Sequence, residues 1–263
     1  MTFTNHTVSN NTRIEVYARE SDAYKAIGNR IRRLIEAKQE AGLPAVLGLA
    51  TGASPVGVYK ELVRLHWEEQ LSFRNVHTFN LDEYYPMHAA DSNSYVYYMQ
   101  QHLFNHIDIP GEQVHIPDGT IALQNVERFC REYDEKIKAL GGIDLQLLGI
   151  GRTGHIGFNE PPAAANTPTR MVTLHQVTID DAAKDFGGVQ HTPTQAITMG
   201  IAPILQAKEI CIMGWGAKKA AIIQQAIQGG VNDEVPASHL QNAKQVQWYV
   251  DEAAAAELKF GLI

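Results

Sequence analysis

Apolar runs of strand length alternate with stretches of helical periodicity along this 263-residue chain, and that alternation restricts its fold more than any other feature. "RIEVY", "AVLGLA", "VHTFNL", "IDLQLLGI", "EICIMGW" and "VQWYV" read as strands. Between the first two, Ala23, Ile27, Ile31 and Ile35 recur at helical spacing, with Ser21 as the expected cap and Gly42 as the stop. "VGVYKELVRLH", "NSYVYYMQQHLF", residues 125–140 and "KKAAIIQQAI" supply further helices. Strands alternating with helices in this way predict an α/β fold: a mostly parallel sheet covered by helices on both faces. No repeat or proline-rich linker divides the chain, so a single domain over 1–263 is expected, with residues up to about Thr12 as a loose N-terminal arm.

Composition narrows the function classes. The net charge of −7 opposes a nucleic-acid surface, which needs a basic excess, but leaves room for a small phosphorylated ligand. Cys130 and Cys211 suggest neither a disulfide framework nor a metal knuckle. No run approaches the roughly 18 apolar residues of a membrane span, and the polar start lacks a hydrophobic signal core. No membrane and a cytoplasmic location are expected.

Ligands of parallel α/β sheets bind beyond the carboxyl ends of the strands. Three segments lie there. In "TGASP", Thr51, Gly52, Ala53 and Ser54 join a buried strand to a helix, with Pro55 near its first turn. Free N–H groups at that helix start, together with two hydroxyls, can form a phosphate cradle, and an ordinary capped turn is the alternative. It is not a Walker A loop, since no Lys-Ser or Lys-Thr follows at the required spacing. In "NLDEYY", the adjacent Asp82 and Glu83 should point to opposite sides, so that one acid faces the site and the other the structure.

"LLGIGRTGHIGFNEP" matches a dinucleotide-binding glycine pattern, but Gly157 and Pro161-Pro162 replace the helix which that reading requires. The glycines, Gly151 and Gly154 among them, instead allow a sharp loop that approaches a ligand closely. His155 can donate and accept a proton near neutrality, and Glu160, five residues on, is a candidate to orient it. His102 and His106 share a helix face without the glutamate of a zinc motif, so they read as surface or interface residues and no metal is expected. Tyr95, Tyr97 and Tyr98 read as packing residues.

Taken together, "LGLATGASPVGVYKELV", "FNLDEYY" and "GIGRTGHIGFNEP" resemble the glucosamine-6-phosphate deaminases, and "ITMGI", "GWGAKKA" and "VPASHLQ" extend the likeness toward the last strand. The resemblance implies a modified Rossmann-like fold with no nucleotide or other cofactor. It also implies conversion of glucosamine 6-phosphate to fructose 6-phosphate and ammonia. His155 with Glu160 would open the sugar ring and Asp82 would move the proton from C2 to C1. By the same likeness, Gly52, Ala53, Ser54, Lys219 and Lys184 would hold the phosphate; Lys184 falls where some relatives carry arginine, a different kind of grip.

Thr153 stands where several relatives have aspartate, which makes Glu160 the expected acidic partner of the histidine. Arg170 matches one basic residue of the N-acetylglucosamine 6-phosphate activator site of some hexameric relatives. Ala163 and Val172 depart from that site, so such activation is not expected. Oligomeric state stays open between monomer and hexamer. The rival readings are a 6-phosphogluconolactonase, disfavoured by Tyr84, Thr153 and "GFNEP", and a catalytically silent sugar-phosphate-binding regulator. A galacto-configured amino sugar is the alternative substrate.

Overall fold

The computed structural model describes residues 3–9 and 11–260; Met1, Thr2 and Asn10 of the expected arm lie outside them. In chain order the strands are β1 (Phe3–Thr7), β2 (Thr12–Tyr17), β3 (Ala45–Leu49), β4 (Val76–Asn80), β5 (Asp82–Tyr85), β6 (Val114–His115), β7 (Leu145–Gly149), β8 (Arg170–Thr173), β9 (Gln195–Thr198), β10 (Glu209–Gly214) and β11 (Val246–Asp251). The α-helices are α1 (Glu20–Glu40), α2 (Val56–Glu69), α3 (Tyr95–His102), α4 (Val126–Ala139), α5 (Gln176–Ala182), α6 (Ile201–Leu205) and α7 (Ala220–Gln228).

An eight-stranded sheet runs in the order β1-β2-β11-β10-β7-β3-β4-β6, and every pairing in it is parallel except that of β1 with β2. Its central strands are buried on both faces. Leu47, Leu49, Leu145 and Leu147 pack with Ile27, Ile31, Tyr59 and Leu62 of α1 and α2. Val46, Leu148, Ile210 and Ile212 pack on the other face with Tyr133, Ile137 and Ile223 of α4 and α7. Two-sided burial explains why these strands read as continuous apolar runs. Each fully buried Leu or Ile contributes roughly 1.5–3 kcal/mol.

After β3 the chain builds outward through β4 to β6, then returns to place β7 on the other side of β3. The loops following β3 and β7 therefore diverge at a topological switch point, where such sheets open a crevice.

Three expectations change. Over Phe3–Thr7 the anticipated loose arm is a strand, because β2 would otherwise leave its outer row of backbone N–H and C=O groups unpaired. Helix α1 starts one residue before Ser21: Arg19 is the extended N-cap residue, and its guanidinium bonds Asp22 at 2.8 Å. "DEYY", expected as the loop that follows the "VHTFNL" strand, is β5, the edge of a separate antiparallel sheet ordered β5-β9-β8, in which Asp82 pairs with Thr198. That sheet holds the acidic pair rigidly beside the switch point.

Candidate active site

The cradle is built first. Gly52 has φ +91°, a conformation that suits glycine, and it turns the chain from β3 into α2. Pro55 is the N-cap residue of α2, whose first N–H groups have no intrahelical acceptors. The Tyr98 hydroxyl donates to the Gly52 carbonyl at 2.6 Å and pins the turn from the side of α3. Thr51, Gly52, Ala53 and Ser54 all line an inner lobe of about 230 Å³, together with Asp82, Gly151 and His155. Gly52, Ala53, Tyr95, His155 and Phe158 also line an adjoining outer lobe of about 510 Å³.

Asp82 and Glu83 part as expected for neighbours on a strand. Glu83 accepts from the backbone N–H groups of Tyr95 (2.8 Å) and Val96 (3.2 Å), so it caps α3 from a distance. Burial nevertheless pushes its pKa up to about 7. Asp82 enters the inner lobe, and among the described residues nothing donates a hydrogen bond to its carboxylate. Burial, then the charge of Glu83, raises its pKa to about 8. A buried acid without a donor is costly to ionise and reactive once ionised.

The histidine loop shows what its glycines are for. A Cβ on Gly151 would lie 2.0 Å from Nε2 of His155, so the bare α-carbon is the floor on which the imidazole rests. Gly154 (φ +80°) makes the turn, its N–H donating to the Gly151 carbonyl at 3.1 Å. At Gly157 (φ +57°) a Cβ would sit 3.2 Å from Oδ2 of Asp82 and 3.0 Å from Oγ1 of Thr198. The glycines thus admit two reactive side chains, where sequence reading expects them to admit a ligand.

Thr153 Oγ1 lies 2.9 Å from Nδ1 of His155. Glu160 does not bond the ring. It accepts from the His175 N–H at 2.7 Å and from the Thr178 hydroxyl. Its charge still favours the protonated ring, as does Asp181, while Lys219 and His175 oppose it; burial dominates and lowers the His155 pKa.

A sequence profile of the glucosamine-6-phosphate isomerases/6-phosphogluconolactonase family matches residues 18–248. The chain belongs to this family. Glucosamine-6-phosphate deaminases of the family from Oceanobacillus iheyensis and Alkaliphilus oremlandii are each 46% identical to it. The first match covers 82% of this chain and 85% of the relative, the second 89% and 97%. A Bacteroides thetaiotaomicron protein named a putative glucosamine-6-phosphate deaminase-like protein is 41% identical over 93% of this chain, which spans only 37% of that relative's length. Among solved structures, a monomeric glucosamine-6-phosphate deaminase superposes with a TM-score of 0.88 at 38% identity, covering 93% of this chain and 99% of its own. A Thermotoga maritima 6-phosphogluconolactonase shares the fold at 20% identity, with a TM-score of 0.71 over 92% of this chain and 100% of its own.

Within this family member, the inner lobe brings together Thr51, Gly52, Ala53, Ser54, Asp82, Gly151 and His155. Thr153 and Gly154 stand behind it in the histidine loop, and Glu160 is turned toward α5. Lys219 lines neither lobe, but its Nζ donates to the carbonyl of Ile150, an inner-lobe residue, at 2.9 Å, while Lys218 is exposed. Lys184 is exposed and lies outside both lobes, although Asp181 and Asp185 of the same segment line the outer one.

Tyr95 and Tyr98 read in the sequence as packing residues, yet both line the outer lobe, and Tyr95 the inner one as well. The one sequence signal for them is Ser94, which caps α3 by accepting from the Tyr97 N–H at 3.0 Å and so fixes where that first turn begins. His106 bonds the Gln101 carbonyl (2.9 Å), and the His102 ring lies tilted against that of Tyr98, with centroids 4.4 Å apart. Among the described residues, no group of three or more His, Cys, Asp or Glu side chains is placed to hold a metal ion, and no helix is long and apolar enough to cross a membrane.

Proposed function

We propose that this protein converts glucosamine 6-phosphate and water to fructose 6-phosphate and ammonia, in the cytoplasm. The observation that carries the reading is Asp82: a buried carboxyl with no donor among the described residues shares one lobe with a phosphate cradle and a histidine. With the phosphate on Gly52, Ala53 and Ser54, His155 moves a proton between the ring oxygen and the C1 hydroxyl, which opens the sugar. Asp82 then takes the C2 proton, and the substrate's own nitrogen conjugates with the double bond as the enolamine forms. The same carboxyl returns the proton to C1. Water adds to the resulting imine at C2, and ammonia leaves by hydrolysis of the C–N bond. The family resemblance and the deaminase relatives support this sequence of steps; the lactonase alternative has the shared fold behind it and little more.

The test is release of fructose 6-phosphate and ammonia in equal amounts from glucosamine 6-phosphate, with 6-phosphogluconolactone offered in parallel. Hydrolysis of the lactone alone would reverse the assignment.

Two further outcomes are expected. The free-enzyme profile of kcat/KM should climb with pH, pass half its maximum near pH 8 and level off about one unit above, because the base works only as the carboxylate and its pKa is about 8. A profile flat from pH 6 to 9 would remove Asp82 as the base. Lys219→Ala should raise KM for the sugar phosphate about 10- to 100-fold, the loss of one charge-assisted hydrogen bond. An unchanged KM would take Lys219 out of phosphate binding.

A further inference from the structure

We infer that the Thr153 hydroxyl is the group that fixes the imidazole of His155, and that Glu160 is a positioning residue which ties the histidine loop to α5. This deepens the reaction proposed above and rests on it. The ring is held on two sides: Nδ1 by Thr153 Oγ1 at 2.9 Å, and the Nε2 edge by the bare α-carbon of Gly151. The loop closes on itself behind the ring, with the Gly151 N–H donating to the His155 carbonyl at 2.9 Å.

Both oxygens of Glu160 are occupied elsewhere. Oε2 receives the N–H of His175, the N-cap residue of α5, and Oε1 receives the hydroxyl of Thr178. Helix α5 has no side-chain cap of its own, so Glu160 supplies one across fifteen residues of chain. Thr178 and Asp181 of α5 line the outer lobe, so this carboxylate joins the loop that holds His155 to a wall of the cavity.

A hydroxyl both donates and accepts, so it can hold the ring in place in either tautomer, and it adds no charge. The charged and titratable groups acting on the ring are then Glu160 and Asp181, which favour its protonation, and Lys219 and His175, which oppose it. A carboxylate in place of Thr153 would act directly on the ring.

The experiment is ¹⁵N NMR of selectively histidine-labelled full-length protein, read beside pH–rate profiles, for Thr153→Val, Thr153→Ser, Thr153→Asp and Glu160→Gln. Thr153→Val should move the His155 Nδ1 shift, since that nitrogen loses its partner, and lower kcat about tenfold with KM within threefold. Thr153→Ser should restore both. Thr153→Asp should move the His155 titration upward by one to three pH units. At a pH where the ring is neutral, Glu160→Gln should leave the His155 nitrogen shifts in place while speeding amide exchange over residues 176–182. Unmoved nitrogen shifts in Thr153→Val, or a tautomer change in Glu160→Gln, would overturn the assignment. Failure of the unaltered protein to release ammonia would instead overturn the reaction, since the nitrogen shifts report the ring independently of turnover.

Discussion

Asp82→Asn should yield a protein that unfolds at a higher temperature than the original and turns over glucosamine 6-phosphate about 10⁴-fold more slowly. Both effects have one cause. The residue is 5% exposed, its carboxyl has no donor among the described residues, and its pKa is raised from 3.8 to about 8. An acid whose pKa is raised on folding binds its proton more tightly in the native state. Stability therefore falls as pH rises from about 4 toward 8, and the full penalty stands above that range. Asparagine keeps the shape and removes the titration. A gain of about 1–3 kcal/mol at pH 8 is expected, and for a chain of this size each kcal/mol moves Tm by about 2–4 °C. At pH 5, where Asp82 is already protonated in the native protein, most of the difference should vanish. The rate loss follows because general base catalysis contributes up to about 10⁴-fold and an amide cannot accept the C2 proton. Thermal unfolding at both pH values, with ammonia release at pH 8, checks the pair. An Asp82→Asn protein that stays active, or that is less stable at pH 8, sinks the assignment of this carboxyl as the base. Sugar-phosphate affinity should stay within about threefold, because the cradle lies on a different loop.

The parts of this molecule that were legible in its sequence obey short-range rules. Ile27, Ile31 and Ile35 mark the buried face of α1, and "AVLGLA" has room for nothing but a strand buried on both sides. "TGASP" and the histidine loop stand out because they follow such strands. The small antiparallel sheet was not legible: β5, β8 and β9 have four residues each, and Asp82 meets its partner Thr198 only through the fold. The polar "FTNHT" gives no sign that it completes the edge of β2. At the site, nearness in sequence misled. Glu160 lies five residues from His155, but Gly157 at φ +57° and the anchoring of Asn159, whose side-chain amide donates to the Ile156 and Met199 carbonyls at 2.8 Å, turn the following carboxylate toward α5. Tyr95 and Tyr98 reach the cavity because Glu83 holds the start of α3 beside β5, a contact no periodicity records.

Gly151→Ala should cost about 10²-fold in kcat and little stability, the reverse of what a turn glycine would show. Gly151 lacks the left-handed φ of Gly154, so an alanine backbone fits there without strain. Its Cβ, however, would stand 2.0 Å from Nε2 of His155 and 2.1 Å from Cε1. The ring is the movable partner and must shift by about 1 Å, since carbon and nitrogen atoms that are not bonded approach no closer than roughly 3 Å. Such a shift breaks the 2.9 Å contact with Thr153 and, on the proposed reaction, would move the imidazole away from the sugar ring oxygen. Displacements of about 1 Å at a catalytic group cost on the order of 10²-fold. Gly154→Ala is the control, for its φ of +80° and the Val235 methyl 3.0 Å from the new Cβ should lower stability by about 1–2 kcal/mol. The two variants separate room for a catalytic ring from room for a turn. If Gly151→Ala keeps kcat within threefold, the imidazole does not act from the place where this loop holds it.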